Sequence, residues 1–316
     1  MHKLKLIEVR SEIGAGTRGA SLGPDAIRIA SLDFSSRFFK RYPWVSVPDE
    51  NHLLFESSGD RYAKRISGVL TMAERVSEAV RGTLELGEFP IVIGGDHSIA
   101  VGTIAGVRMA YPKIRLGVIW IDAHADMHSP YTTPSGNMHG MPAAISLDED
   151  NLESKLNSPD QETLNFWYQL KNVGGICPKI RYGDLVMIGL RDIEPAEEYL
   201  LKEKGVKRFT TKEVRRAGVE KIAIETLRHL EDCDLIHVSF DVDVMDPSVS
   251  RGTGTPVPNG ISGREARTLV VRLMQSKKVV SFELVEVNPT LDTENAMAEH
   301  AFDILLRASN QLIHNI

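Results

Sequence analysis

The stretch LGVIWIDAHAD, residues 116–126, joins a run of apolar residues to a cluster of acidic and imidazole side chains. A short apolar run rich in Ile and Val is typical of a β-strand that is buried on both faces. Such strands occur in parallel sheets that helices cover on both sides. Because ligands bind beyond the carboxyl ends of these strands, the DAHAD segment lies where a functional site is expected.

Other parts of the chain repeat this pattern of buried strands with helices between them. Apolar runs occur at 90–93 (PIVI), 185–190 (LVMIGL), 235–240 (LIHVSF) and 279–285 (VVSFELV), and MHKLKLIEVR at 1–10 alternates as a further strand does. Helical spacing is found at 61–86, at 262–276, which opens with a capping box from Ser262 to Glu265, and at 292–315. The alternation predicts a three-layer α/β fold with a mainly parallel sheet and helices on both faces.

Two segments interrupt the alternation. Residues 31–60 mix aromatic, proline and charged residues, and residues 148–175 begin with a polar run that leads to the apolar cluster Phe166, Trp167 and Tyr168. We interpret the second segment as an excursion that carries one short docked helix. Neither segment is a linker long enough to divide the chain, and no internal repeat is visible, so we expect a single domain over residues 1–316.

Composition excludes several classes of protein. The 37 Lys and Arg residues against 43 Asp and Glu residues leave a net charge of −6, which disfavours a basic nucleic-acid surface. No apolar run approaches the ~18 residues of a membrane span, and the N-terminus lacks the features of a signal peptide. Two cysteines, Cys177 and Cys233, indicate free thiols in a reducing compartment. We therefore expect a cytoplasmic protein.

Acidic and imidazole residues follow three of the predicted strands. GGDHS at 94–98 follows the first, DAHAD at 122–126 the second, and Asp241 and Asp243 follow the third. If these segments are extended, alternate residues point the same way, so Asp122, His124 and Asp126 would project together. Four carboxylates at short range repel one another unless a cation compensates their charge.

This pattern predicts a centre with two metal ions. Taken alone, each motif also occurs as an ordinary cap of a strand or helix, but three together at separate strand ends favour metal binding. The candidate ligands are His97, Asp122, His124, Asp126, Asp241 and Asp243. A carboxylate can bridge two ions, and a ligand set of carboxylates and imidazoles without thiolate suits Mn²⁺, although zinc, iron, cobalt or nickel also fit.

The three motifs resemble the metal-binding signatures of the ureohydrolases, which include arginase, agmatinase and formimidoylglutamase. The signatures are GGDHS at 94–98, DAHAD at 122–126 and SFDVDVMDP at 239–247. SGNMHGMP at 135–142, GTGTPVPNG at 252–260 and EVNPTLD at 286–292 further resemble the arginase branch, and GAGTRGASLGPDAIR at 14–28 resembles it more weakly. We find no counterpart at 31–60 or 148–175.

The resemblance implies an eight-stranded parallel sheet with two manganese ions per chain at its carboxyl edge. One ion would be held by His97, Asp122, Asp126 and Asp241, and the other by Asp122, His124, Asp241 and Asp243. Asp122 and Asp241 would then bridge the ions. A hydroxide shared by the two ions would attack the guanidinium carbon, and the intermediate would collapse to urea and an amine.

The resemblance also implies catalytic roles for other side chains. Glu286 would pair with the guanidinium, and Asp126 would accept a hydrogen bond from the hydroxide and pass a proton to the leaving nitrogen. His139 would shuttle protons. Each has a plainer interpretation, since Glu286 could be a strand-end carboxylate and His139 could cap a loop. Thr255 would either assist at the guanidinium or shape a turn.

Substrate recognition is the part of the resemblance that is incomplete. The α-carboxylate would be bound by His128, Ser135 and Asn137, although His128 stands where the arginase branch usually has Asn. An imidazole can still donate a hydrogen bond to a carboxylate. We expect the acidic residue that recognises the α-amino group to come from the excursion after residue 148.

Together these patterns favour hydrolysis of L-arginine to L-ornithine and urea. An agmatinase, a guanidinobutyrase or a formimidoylglutamase is the alternative among enzymes, and a metal-binding scaffold without catalysis is the alternative outside them. The family resemblance implies a homo-oligomer, either a trimer or a hexamer, that acts on a small guanidino substrate.

Overall fold

The computed structural model describes residues 3–314, and a sheet of eight strands lies at its centre. The strands are β1 (Lys3–Val9), β2 (Trp44–Val47), β3 (Glu88–Gly94), β4 (Leu116–Ile121), β5 (Leu185–Leu190), β6 (Lys207–Thr210), β7 (Leu235–Asp241) and β8 (Val279–Val285). Their order is β2-β1-β3-β8-β7-β4-β5-β6, and every pair of neighbours is parallel. The predicted parallel sheet of eight strands is confirmed.

Eleven α-helices connect or flank these strands within residues 3–314. They are α1 (Gly23–Asp33), α2 (Phe38–Arg41), α3 (Ile66–Glu85), α4 (Ala100–Ala110), α5 (Pro142–Leu147), α6 (Gln161–Lys171), α7 (Pro195–Glu203), α8 (Thr211–Ala217), α9 (Val219–His229), α10 (Gly263–Leu273) and α11 (Ala296–His314). None of them is long and apolar enough to cross a membrane.

Two apolar cores lie on opposite faces of the sheet. Along β4, Ile119 and Ile121 belong to the core that α1, α9, α10 and α11 cover, whereas Val118 and Trp120 belong to the core beneath α3, α4 and α7. Alternate residues of a strand point to opposite faces, so a strand that is apolar throughout needs a helix layer on each side. The predicted three-layer αβα arrangement is therefore confirmed.

The five apolar runs all form strands, but two edge strands have no such run. In β2, three of the four residues are exposed, and in β6 only Phe209 is buried. An edge strand has a neighbour on one side only and needs no continuous apolar sequence, so neither segment shows the pattern that identifies a buried strand. Strand β2 falls within residues 31–60, where the sequence indicated no regular element.

The predicted helices are present with shorter ends. The helix expected at 61–86 spans Ile66–Glu85, because Arg65 adopts the left-handed conformation at φ 56° and interrupts the chain before it. The capping box is confirmed, since Ser262 Oγ accepts from the backbone N–H of Glu265 and the Glu265 carboxylate accepts from Ser262. The helix expected at 292–315 begins at Ala296. Residue 315, like Met1 and His2 of the first predicted strand, lies outside the described residues.

The excursion at 148–175 carries the predicted docked helix. Helix α6 begins after Asp160, whose side chain accepts a hydrogen bond from the backbone N–H of Thr163. Only one residue of the predicted apolar cluster is buried, because Trp167 packs into the core while Tyr168 faces solvent. The excursion therefore packs on one face of the sheet through α6, and its residue Asn157 donates to the backbone oxygen of Thr133 in the loop after β4.

Candidate active site

The candidate site lies at the carboxyl ends of the four central strands. In the sheet, β3, β8, β7 and β4 are consecutive neighbours although they are far apart in sequence. The loop after β3 holds His97, the loop after β4 holds the DAHAD motif, β7 ends at Asp241, and Glu286 follows β8 directly. Ligands of open parallel sheets bind beyond the carboxyl ends of the strands, where these loops meet.

The residues of the DAHAD motif converge through a turn and not through strand alternation, which corrects the geometry expected from the sequence. Strand β4 ends at Ile121, and Asp122 Oδ1 accepts a hydrogen bond at 2.6 Å from the backbone N–H of His124. Asp241 Oδ1 forms the equivalent contact at 2.8 Å with the N–H of Asp243. Short Asp side chains make these local turns readily, and each turn folds the next ligand back toward the first.

One group of candidate ligands surrounds the imidazole of His97. Its Nδ1 lies 3.0 Å from Asp122 Oδ2, 3.2 Å from Asp126 Oδ2 and 3.2 Å from Asp241 Oδ2. Although three carboxylates are so close, the buried Nδ1 makes no hydrogen bond of good geometry with any described residue. Lone pairs that converge on one point without a proton between them are the arrangement that a cation requires.

A second group surrounds the imidazole of His124. Its Nδ1 lies 3.0 Å from Asp243 Oδ2 and 3.4 Å from Asp122 Oδ1. His97, Asp122 and Asp241 have ligand atoms within 4.8 Å of one another, and so do Asp122, His124 and Asp243. Asp122 is therefore shared, with one carboxylate oxygen facing each group.

The charges of these groups are unbalanced. Burial, followed by repulsion from Asp122, raises the pKa of Asp126 to about 7, and burial together with neighbouring carboxylates also raises the pKa of Asp241 and Asp243. Burial lowers the pKa of His97, but the carboxylates around it outweigh burial and raise that pKa well above its ordinary value. Cations would relieve this repulsion, so the residues present fit a centre of two divalent metal ions.

Two buried residues, Trp120 and Ser239, fix the orientation of the His97 ring. The ring stacks on Trp120, with centroids 4.2 Å apart and planes 10° from parallel. Its Nε2 lies 2.8 Å from Ser239 Oγ, which in turn donates to Glu283 Oε1 at 2.9 Å. A histidine ligand whose second nitrogen is held in this way keeps one orientation and one tautomer, which leaves Nδ1 free to ligate.

Glu286 and His139 meet beside the first group. Glu286 Oε1 accepts from the backbone N–H of His97 at 2.9 Å and lies 2.9 Å from His139 Nδ1. Burial lowers the pKa of His139, but Glu286 and then Asp96 and Asp126 raise it, to about 9 in total. Glu286 and Asp126 have left-handed backbones, with φ of 67° and 50°, and such strained residues cluster at functional sites.

A pocket of about 290 Å³ opens onto both groups. The predicted substrate-binding residues His128, Ser135, Asn137 and Thr255 line it, together with His139. Thr255 Oγ1 donates to Asp243 Oδ2 at 3.1 Å, which ties its loop to the second group. Glu286 contacts the backbone of His97 and the ring of His139, but it is not itself among the residues that line the pocket.

Three acidic residues in the pocket were not identified from the sequence. Asp192, Glu194 and Glu197 follow β5 and line the pocket, whereas no residue of 148–175 lines it. The acidic residues of the pocket thus come from the segment after β5 and not from the excursion as expected, because the excursion contacts the loop at 130–133 from outside the pocket. The rule that ligands follow strand ends, applied to the run at 185–190, would have identified these residues.

A lysine that the sequence analysis also missed orients Asn137. Lys64 Nζ donates to Asn137 Oδ1 at 3.1 Å, so the amide nitrogen of Asn137 is left to face other groups. The loop before it requires Gly136, whose φ is +72° and where a Cβ would lie 1.9 Å from the carbonyl oxygen of Arg61. The segment at residues 61–64 therefore packs closely against the loop that carries Gly136 and Asn137.

Comparison with known proteins agrees with this geometry. A sequence model of the Arginase family matches residues 2–309. The chain is 37% identical over 304 residues to the arginase of Bacillus subtilis (strain 168), which covers 96% of each chain. It is 36% identical over 308 residues to the arginase of Bacillus caldovelox, which covers 96% of this chain and 97% of that one.

Solved structures agree as well. The native structure of the Bacillus caldovelox arginase superimposes with a TM-score of 0.84 over 98% of both chains, at 35% identity. The Entamoeba histolytica arginase, solved in complex with L-ornithine, superimposes with a TM-score of 0.82 over 99% of both chains, at 28% identity. Since the family match spans nearly the whole chain and two relatives share more than a third of its residues, the protein belongs to the arginase family.

Proposed function

We propose that the protein hydrolyses L-arginine to L-ornithine and urea at a centre of two manganese ions. The observation that carries the proposal is the buried Asp122, whose two oxygens face His97 and His124 separately, and both of these imidazoles line a polar pocket. A carboxylate shared in this way suits two ions about 3.5–4 Å apart. The ligand set of oxygen and imidazole without thiolate favours manganese among the metals that fit.

Two bound ions would supply a water molecule that is deprotonated near neutral pH, which a guanidinium needs because it is a poor electrophile. The protein's own residues orient the substrate and move its protons. The Glu286 carboxylate pairs with the guanidinium and positions its carbon. Asp126 accepts the proton of the attacking group and delivers it to the leaving nitrogen. His139, which contacts Glu286, exchanges protons between the site and solvent.

The outer part of the pocket is suited to an amino acid head group. The hydroxyl of Thr132 accepts from the backbone N–H of Ser129 and lies 3.1 Å from His128 Nδ1. Where this hydroxyl donates to Nδ1, the ring carries its hydrogen on Nε2, which can then donate. That buried Nε2 makes no hydrogen bond of good geometry with a described residue, and its nearest acceptors are Glu194 Oε2 at 3.5 Å and Glu197 Oε2 at 3.7 Å. A substrate carboxylate would take the place of these longer contacts.

Asp192, Glu194 and Glu197 supply the complementary negative charge for an α-ammonium group. Burial raises the pKa of Glu197 to about 7, whereas Glu194 is half exposed beside it. Ser135 and Asn137, which also line the pocket, donate to the carboxylate. A head group with both charges therefore meets a complementary partner for each, which agmatine, without a carboxylate, would not.

We also propose that the chain works as one domain, in the cytoplasm, and as a homo-oligomer. The single domain is supported by β8, which pairs with β3 on one side and with β7 on the other. Strands from the first and second halves of the chain thus belong to one sheet. Both cysteines are free, as a reducing compartment favours. The trimer or hexamer stays a prediction from the family resemblance.

The test combines metal analysis with a panel of substrates. Purified protein loaded with Mn²⁺ is expected to contain two ions per chain and to release urea from L-arginine much faster than from agmatine or guanidinobutyrate. Urea from agmatine but not from L-arginine would overturn the substrate assignment. Two ions per chain without turnover of any guanidino or formimino compound would instead indicate a scaffold.

A further inference from the structure

A second cavity lies at the amino ends of the strands, on the edge of the sheet opposite the candidate active site. It measures about 240 Å³ and is formed where β4 and β5 begin. Four of its lining residues are cationic and one is acidic: Arg108, Arg115, Lys179, Arg181 and Asp184. We refer to it as the basic cavity.

Only one cation of the basic cavity is neutralised by a carboxylate. The guanidinium of Arg115 binds Asp184 through Nε at 3.0 Å and a terminal nitrogen at 2.7 Å. Within the described part of the chain, no carboxylate forms an ion pair with Arg108, Lys179 or Arg181. The acidic Asp148 attracts Lys179 only from a distance, and Asp232 faces Arg115 at 3.7 Å. The cavity thus holds a surplus of positive charge.

Lys179 and Arg108 donate hydrogen bonds to backbone oxygens, but each keeps an N–H that a ligand could accept from. Lys179, which is almost fully buried, donates from Nζ to the backbone oxygens of Lys171 at 2.6 Å and Leu170 at 3.4 Å. Arg108 donates from its terminal nitrogens to the backbone oxygens of Ile114 and Pro112. Its Nε is buried and has no hydrogen-bond partner among the described residues.

Positive charge in the cavity is unfavourable without a counter-ion. Burial, and then repulsion by Arg181, lowers the pKa of Arg108, and burial lowers the pKa of Lys179 to about 8. A buried donor without an acceptor costs free energy that a ligand with acceptor oxygens would recover. The same cations that repel one another would stabilise such a ligand.

We infer that the basic cavity binds a small tetrahedral oxyanion, either inorganic phosphate or the phosphate group of a metabolite. The guanidinium of Arg181, which forms no ion pair with a described residue, can offer an oxyanion two parallel hydrogen bonds, the buried Nε of Arg108 can offer one more, and the ammonium of Lys179 adds a point charge. The side chains available to the ligand are donors, whereas the one carboxylate is occupied by Arg115. Since the sheet separates this cavity from the substrate pocket, a bound oxyanion leaves that pocket open.

The experiment measures oxyanion binding to the metal-loaded protein after free metal has been removed. Sulfate is the first probe because it binds divalent manganese weakly, and its effect on the unfolding temperature is compared with chloride at equal ionic strength. Sulfate also stabilises folded proteins in general, so we expect its effect beyond chloride to be larger in the wild type than in Arg181→Ala, and we expect Arg181→Ala to weaken binding by about tenfold, as loss of a charged contact does. The matched control is Arg216→Ala, an exposed arginine outside the cavity, which should bind as the wild type does.

A second variant tests the buried donor of Arg108, and crystals soaked with an anion show where it binds. Arg181 is exposed, so its replacement should fold normally, while Arg108→Gln removes the buried donor and should abolish binding. Selenate soaked into crystals should give an anomalous peak between these two side chains. Inorganic phosphate and glycerol phosphate, tested in parallel, distinguish a free ion from a phosphorylated metabolite as the tighter ligand.

Two outcomes would overturn the inference. They are equal stabilisation of the wild type by sulfate and chloride, or unchanged sulfate affinity in Arg181→Ala with no selenate peak in the cavity. Urea release by Arg181→Ala is expected to equal that of the wild type. A failure of this binding test therefore says nothing against the proposed hydrolysis, and loss of hydrolysis says nothing against the oxyanion site.

Discussion

His139 Nδ1 and Glu286 Oε1 lie 2.9 Å apart and form a partly buried pair beside the candidate metal ligands. Glu286 is proposed to pair with the substrate, so a guanidinium that enters must share Glu286 with the imidazole already bound to it. The pair therefore connects substrate binding with the residue proposed to move protons. Replacing either member should affect catalysis without emptying the metal centre.

Glu286→Gln is the direct test of guanidinium pairing. The amide has nearly the same shape but no negative charge, so we expect two ions per chain and a fall in kcat of at least about 10²-fold, as when a preorganised electrostatic contact is removed. Metal content and steady-state kinetics on one preparation provide the measurement. Wild-type kcat in this variant would remove Glu286 from the reaction.

His139→Ala tests proton transfer. We expect turnover to fall by roughly 10²-fold or more, because a positioned acid or base contributes on that scale, while metal content is unchanged. Added imidazole should restore part of the lost rate if a proton shuttle is what the variant lacks. If the rate of the variant matches the wild type, His139 has only a structural role.

Asp122→Ala tests the shared ligand. One oxygen of Asp122 faces each group, so its loss should leave well below one ion per chain after dialysis, measured by elemental analysis. Asp243→Ala removes a residue of the second group only and should retain the ion at His97. Glu194→Gln, a pocket residue with no ion pair to His97 or His124 in the described part of the chain, is the matched control and should keep two ions. Full occupancy in Asp122→Ala would contradict a shared carboxylate.

Lys64→Met tests whether the amide of Asn137 needs its partner. Without the ammonium at 3.1 Å, the Asn137 side chain can turn and present oxygen to the substrate carboxylate. We expect KM for L-arginine to rise about tenfold with little change in kcat, since the lost contact acts equally on substrate and transition state. Agmatine has no carboxylate, so its KM should not change, and Lys64→Arg should restore the wild-type value. A rise in KM for both substrates would point to general damage of the loop.

His237 provides a prediction of pH dependence. Burial, and then repulsion by His97, lowers its pKa from 6.5 to about 3, so the folded protein keeps it neutral while the unfolded chain takes up a proton. Stability from this group is therefore present above about pH 7 and is lost as pH falls below 6.5 toward 3. Between pH 8 and pH 5 the loss is about 2 kcal/mol.

His237→Leu should remove this part of the pH dependence. Urea unfolding of both proteins at the two pH values is the measurement, and the variant should lose about 2 kcal/mol less than the wild type on acidification. Equal losses in the two proteins would show that His237 is protonated in the folded state or accessible to solvent.

The central strands could be predicted because burial on both faces forces a continuous apolar sequence, as in Val118 to Ile121. The edge strands β2 and β6 face solvent on one side and have no such sequence. The residues of the two ligand groups were also recognisable, but their convergence was expected from strand alternation and instead arises from local turns at Asp122 and Asp241. Residue types were thus easier to predict than backbone paths.

The acidic pocket residues that follow β5 were not predicted, for a different reason. Asp192 and Glu194 belong to a loop whose strand was predicted correctly, yet nothing local in the sequence says that β5 lies beside β4. Strand order arises from packing among distant segments, and so does the contact between Lys64 and Asn137. The strands and the ligand residues at their ends were predicted, whereas the neighbour of β5 in the sheet and the contact of Lys64 with Asn137 were not.

Strand β8 comes last in the chain but lies between β3 and β7 at the middle of the sheet. Strands β1–β3 and strands β4–β7 are therefore joined in the sheet through β8, with His97 after the first set and Asp122 and Asp241 after the second. A chain cut before residue 279 would lack the strand that holds these two sets in register, so we expect it to bind no metal and to release no urea.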